Sequence, residues 1–215
     1  AELQPQKIKV PGDPSSAAFL VIAALIVPGS DIIIENVGIN PTRAGLFEVL
    51  QKMGGDISFK KKRTVGGEPV ADIYVKHSAL TGIDVPANIA PSMIDEFPAL
   101  FIAAAMASGA TTTCGLHELR VKESDRLSQM AKGLELLGVK LTEKEDGMVI
   151  EGNGGKQLSG GRAKPVIETA LDHRIAMSFA VAGLVTKSGL AIDDITPVQT
   201  SFPGFQDLIT TLVSK

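Results

Sequence analysis

The chain has 215 residues, 44% of them hydrophobic and 21% charged, with a formal net charge of −3. That length is enough for one large domain or two small ones around a real core, and the composition is that of a soluble globular chain. The slightly acidic balance argues against nucleic acid or an anionic membrane surface as the main partner, and the single cysteine, Cys114, makes an internal disulfide impossible and a reducing cytoplasm the natural compartment.

The opening residues, Ala1 to Lys7, lack the charged-then-apolar pattern of an export signal. Asp13-Pro14-Ser15-Ser16 then reads as the capped start of a buried helix carrying the apolar run Phe19 to Val27, which is too short to span a bilayer. A glycine turn and a strand follow from Gly29 to Val37. An amphipathic helix is expected from Thr42, stopped by Gly54-Gly55, and then two strands, Asp56 to Lys60 and Ala71 to Lys76. The basic run Lys60-Lys61-Lys62-Arg63 reads as a solvated hairpin or loop.

The same order recurs. Asp95-Glu96 opens a second buried helix with the run Pro98 to Ala107, followed by a strand over Gly109 to Leu116, in which Cys114 reads as a packed small side chain. Leu127, Met130, Ala131, Leu134 and Leu137 give the spacing of an amphipathic helix that stops at Gly138. Strands Val139 to Glu143 and Met148 to Glu151 complete the round. A third begins at Asp172-His173, continues through the apolar run Ile175 to Val185, a strand over Gly189 to Ile195 and a helix from about Phe202, and reaches Lys215 before any paired strands.

Starts about 80 residues apart are too widely spaced for a solenoid. The expected fold class is therefore α/β (α+β): three β-α-β-α-β-β units, about residues 8–80, 81–158 and 159–215, around a common core. A third unit without its last strands leaves a sheet edge or helix face uncovered, so those strands are expected from elsewhere.

Arg120-Val121-Lys122-Glu123-Ser124-Asp125-Arg126-Leu127 packs several charges ahead of the second amphipathic helix. With Ser124 as its N-cap, Lys122 and Glu123 lie in the feeding loop and Arg126 in the first turn, where a cation opposes the helix dipole. Arg174, behind Asp172 as a cap and His173, repeats that arrangement. A local cost paid twice implies a compensating anion. If the three buried helices run alike, their N-termini also share one face suited to phosphates and carboxylates. Taken alone, Asp95 reads as a helix N-cap, Glu123 as an ion-pair partner of Lys122 or Arg126, and His173 as a structural residue. His77, His117 and His173 lack metal-ligand spacing, and no glycine-rich nucleotide loop is present.

The octapeptide resembles the signature of the 5-enolpyruvylshikimate-3-phosphate synthases (EPSP synthases, or 3-phosphoshikimate 1-carboxyvinyltransferases). So, in order, do Pro11-Gly12-Asp13-Pro14-Ser15-Ser16-Ala17-Ala18, Asn40-Pro41-Thr42-Arg43, Ala90-Pro91-Ser92-Met93-Ile94-Asp95-Glu96, Leu171-Asp172-His173-Arg174-Ile175-Ala176-Met177 and Thr200-Ser201-Phe202-Pro203. Their wording is nearest the class II bacterial enzymes. The resemblance covers this whole chain from about Lys7, but only the C-terminal half of the family's usual length.

It implies an inside-out α/β barrel of two similar domains, each of three units, with this chain forming most of one. The N-terminal strands that complete that domain, and the partner domain, are then absent. The implied reaction joins the 5-hydroxyl of shikimate 3-phosphate to C2 of phosphoenolpyruvate and releases phosphate, in the cytoplasm and without a cofactor. The resemblance assigns Asp95 to the 5-hydroxyl and Glu123 to proton transfer at C3. Lys122 contacts shikimate 3-phosphate, Arg126 and Arg174 hold phosphoenolpyruvate, and His173 is a secondary phosphate contact. Two positions depart from the wider family: Thr200 stands where many members have a phosphoenolpyruvate-binding lysine, and Glu118 where others have asparagine. A related alternative is UDP-N-acetylglucosamine enolpyruvyl transferase, which usually lacks the Lys-Glu-Ser-Asp-Arg and Asp-His-Arg wording. A non-catalytic anion-binding module on the same domain is the other, and it would not need two carboxylates at the site.

Overall fold

The structure, a computed structural model, describes residues 9–161 and 163–213; the opening read for an export signal lies outside them. Helix α1 (Pro14–Ile26) starts as the sequence predicts, with the Asp13 carboxylate accepting the Ser16 N–H and proline in the first turn. It is buried at every position but Ser16. Strand β1 (Asp31–Gly38) follows. The next helix, α2 (Gly45–Lys52), begins later than Thr42 because Asn40 Oδ1 accepts the Thr42 N–H and holds that stretch as a turn. Strands β2 (Asp56–Val65) and β3 (Glu68–Lys76) form a hairpin longer than expected, and the antiparallel sheet runs β1-β3-β2.

The basic run lies on β2, largely exposed, though not wholly solvated: Lys61 and Arg63 reach the buried carboxylate of Asp72, which also accepts the Asn36 N–H. Asn36 and Lys61 both adopt positive φ where the register of β1 and β2 against β3 shifts, so paired bulges turn these groups onto one acid.

Helix α3 (Phe97–Met106) is buried at every position. Strand β4 (Ser108–Thr112), helix α4 (Arg126–Leu136) and strands β5 (Lys140–Lys144) and β6 (Gly147–Asn153) follow, and the second sheet runs β4-β6-β5, the order of the first. In both rounds the strand expected ahead of the buried helix is reduced to isolated parallel bridges, Gly12 with Val37 in one, Thr81 with Ser108 and Asp84 with Thr112 in the other. The third round is shorter. Strand β7 (Val166–Ile167) pairs in parallel with β8 (Ala191–Ile192) across helix α5 (His173–Gly183), and α6 (Val198–Ser201) and α7 (Phe205–Val213) close the chain. Cys114, expected to be packed, is exposed, because it lies beyond β4 where the chain leaves the sheet.

Helices α1, α3 and α5 pack on one another as the centre of the core. Helix α4 approaches α5 closely at Gly133, where a Cβ would enter the Phe179 ring. Among the described residues, no helix is long and apolar enough to cross a membrane.

Candidate active site

The first turns of α3, α4 and α5 meet at one end of the helical core, and the residues singled out in the sequence meet there. Asp125, rather than Ser124, caps α4: its carboxylate accepts the Ser128 N–H and pairs with Arg120, while the Ser124 hydroxyl donates to Asp172. Lys122 and Glu123 occupy the feeding loop as expected. Asp95 is not a cap either. It lies in a 3-10 turn (Ile94–Glu96) just ahead of α3, which has no side-chain cap, and its carboxylate is turned onto Arg126 and Lys122.

Arg126 is the hub. Although charged, its side chain is only 1% exposed. Nε donates to Asp172 Oδ2 at 2.8 Å, Nη1 to Asp95 Oδ1 at 2.9 Å, and Nη2 to Glu123. Every nitrogen of the guanidinium is thus engaged by an acid from a different segment. The cation placed against the α4 dipole is compensated here by protein carboxylates, so its position alone does not demand a ligand. Asp172 does more than cap α5, since one carboxylate accepts the Arg174 N–H, the Ser124 hydroxyl and the Arg126 fork. Its pairing with Arg126 was not visible in the sequence.

Arg174 is held differently. Nη1 donates to the Asp95 carbonyl at 3.0 Å and lies 3.3 Å from Glu96 Oε1. Among the described residues, the side-chain hydrogen bonds of Arg174 all use Nη1 and none uses Nη2 or Nε. Lys122 bonds Glu118 one turn earlier and lies 3.5 Å from Asp95, so Glu118, at the departure from the wider family, faces the lysine. Thr200 lies in the short helix α6, which packs against α5.

Burial works against ionisation of Asp95, yet Arg174, Lys122 and Arg126 outweigh it and hold its pKa below the ordinary carboxylate range. Asp172 shows the same balance, with burial overcome by its bonds to Arg126, the Arg174 N–H and Ser124. Burial, reinforced by Arg174, depresses His173, so its imidazole is neutral at pH 7. Lys122 is raised by its bond to Glu118, against the opposing effect of burial.

A group with a depressed folded pKa stabilises the fold above its ordinary pKa and loses that contribution as pH falls to the folded value. Asp172→Asn is therefore expected to flatten the loss of urea stability below about pH 4. An unchanged acid limb would place the critical proton elsewhere.

The model of the EPSP synthase (3-phosphoshikimate 1-carboxyvinyltransferase) family matches residues 1–209. The chain belongs to the EPSP synthase family. The family's 3-phosphoshikimate 1-carboxyvinyltransferase of Zymomonas mobilis is 65% identical over 213 residues, 99% of this chain and 47% of its own length. That of Sphingopyxis alaskensis is 61% identical over 212 residues, 99% of this chain and 47% of its own length. The chain thus spans about half the length of the curated relatives it matches. The solved EPSP synthase of Acinetobacter baumannii superposes with a TM-score of 0.91 at 49% identity, over 95% of this chain and 46% of that one. The enolpyruvyl transferase NikO of Streptomyces tendae, at 18% identity and a TM-score of 0.68 over 93% of this chain and 42% of its own, shows the shared fold alone. The mixed α/β architecture is that of the enolpyruvyl transferases.

Proposed function

We propose that this chain is the C-terminal half of a 3-phosphoshikimate 1-carboxyvinyltransferase. Joined by the half its relatives also carry, it transfers the enolpyruvyl group of phosphoenolpyruvate to the 5-hydroxyl of shikimate 3-phosphate. Its three rounds, about residues 8–80, 81–158 and 159–215, form most of one domain, which the preceding strands complete. The cytoplasm is the compartment that suits its single thiol.

The observation that carries this reading is the convergence of three cations on one acid: Lys122 and Arg126 on the Asp95 carboxylate, and Arg174 on its carbonyl. In the forward reaction, the 5-oxygen bonds to C2 while Asp95 accepts the hydroxyl proton and Glu123 gives one to C3. Glu123 then takes a proton back from C3 as the bond from C2 to the phosphate oxygen breaks, and phosphate leaves with the proton that Asp95 had accepted. Arg174 offers phosphoenolpyruvate two unengaged nitrogens. Arg126 offers none until an anion displaces Asp95 and Glu123 from its two Nη atoms, so the exchange that seats phosphoenolpyruvate also frees both acids for proton transfer. Lys122 orients shikimate 3-phosphate, and neutral His173 donates a hydrogen bond to phosphate.

A site closed between two domains gains rate by orienting both reactants and excluding water, so half of it turns over poorly. Phosphate release is the assay, with this chain alone and with the remaining half of the Zymomonas mobilis relative. Turnover is expected only in the mixture and only with shikimate 3-phosphate, whose binding should strengthen that of phosphoenolpyruvate. Turnover by the chain alone at the mixture's rate, or turnover with UDP-N-acetylglucosamine instead, would refute the assignment.

A further inference from the structure

Glu96 is an ionisable side chain with no part in the scheme above, and it is nearly sealed from solvent, at 8% side-chain exposure. It lies just ahead of α3, where the first turns of α1 and α5 also arrive. Ser15 of α1 accepts a hydrogen bond from Arg43 Nη2 at 3.0 Å, and its hydroxyl proton is then available to the Glu96 carboxylate. On the other side, Glu96 Oε1 lies 3.3 Å from Arg174 Nη1. A chain of contacts therefore runs from Arg43 and Ser15 of the first round, through Glu96 of the second, to Arg174 of the third.

Burial, added to by neighbouring Asp95, pushes the Glu96 pKa up against the pull of Ser15, Arg174 and Arg43. A stable core would gain by replacing such an acid with an apolar group. Its position has a consequence for the ligand, however. By occupying Nη1, together with the Asp95 carbonyl, Glu96 fixes the plane of the guanidinium while leaving Nη2 and Nε unengaged. Without it, one bond to a main-chain carbonyl leaves the fork free to swing.

We propose that Glu96 is a positioning residue for Arg174, presetting that guanidinium for the carboxylate or phosphate of phosphoenolpyruvate. The inference rests on the assignment of Arg174 to phosphoenolpyruvate made above. In the mixture of this chain with the complementary half, Glu96→Gln is expected to raise KM for phosphoenolpyruvate about tenfold, as loss of a charged hydrogen-bond partner implies, and KM for shikimate 3-phosphate less than about twofold. In an Arg174→Gln background the same change should alter KM for phosphoenolpyruvate by less than about twofold, because its effect passes through Arg174. Equal losses in both backgrounds, or equal losses for both substrates, would make Glu96 a merely structural residue and overturn the proposal.

A second measurement stands apart from catalysis. In the 215-residue chain alone, nitrogen-detected NMR should show hindered rotation of the Arg174 guanidinium, lost in Glu96→Gln. An unchanged Arg174 signal would overturn the proposal even if turnover is normal. A lost signal in a mixture without turnover would leave the positioning intact and sink the assigned reaction instead.

Discussion

Arg126→Met is expected to lower the unfolding free energy of the chain by about 3–5 kcal/mol, the range for breaking a buried ion pair from one side. The magnitude comes from Asp172 rather than from the arginine. Asp172 is 0% exposed, and the Ser124 hydroxyl and Arg174 N–H are neutral donors that cannot replace the lost cation. Asp95 and Glu123 are 38% and 52% exposed at their side chains, so water takes over their solvation and they add little to the cost. Neutralising the stranded acid should therefore recover most of the loss. Arg126→Met combined with Asp172→Asn, which keeps a cap for α5, is expected to fall within about 1–2 kcal/mol of the parent. Urea unfolding of the parent, both single variants and the double variant gives the coupling directly. A cost below about 1 kcal/mol for Arg126→Met would mean that α4 and α5 are not joined by a buried pair.

This pairing shows where the sequence ceases to be readable. The local signals served well: Asp13 and Asp172 cap the helices they were expected to cap, and α1 and α3 are as buried as their apolar runs require. Capping and burial periodicity depend on neighbours within a turn or two, which the sequence displays. Arg126 and Asp172 are 46 residues apart, and no local rule specifies that they meet. The same limitation explains the errors. Ser124 and Asp95 are acceptable caps by type, but distant partners claim both side chains, Asp172 for one and Arg126 with Lys122 for the other. A repeat implies equal units each opening on a strand, whereas in the first two rounds that strand is reduced to isolated parallel bridges. Glu96 reads in the sequence only as part of an acidic helix start, since a glutamate beside an aspartate there ordinarily faces water.

Asp95→Asn is expected to lower kcat of the assembled enzyme about 10²–10⁴-fold, the usual span for loss of a general base. The substitution preserves size and one acceptor but cannot take a proton. Its effect on binding should have the opposite sign. Asp95 Oδ1 occupies Arg126 Nη1 at 2.9 Å and approaches Lys122 Nζ at 3.5 Å, so removing its charge leaves two cations less compensated and more attractive to anionic substrates. KM for phosphoenolpyruvate should therefore fall, or at most stay constant, while kcat collapses. Because Asp95 is held below the ordinary carboxylate range, it remains ionised throughout the neutral region, and the variant should be equally impaired from about pH 5 to 8. Steady-state rates over that interval separate two roles for one residue. A variant that keeps kcat within about tenfold but loses affinity would show that Asp95 only braces the cations, and the proton would have to leave by another group.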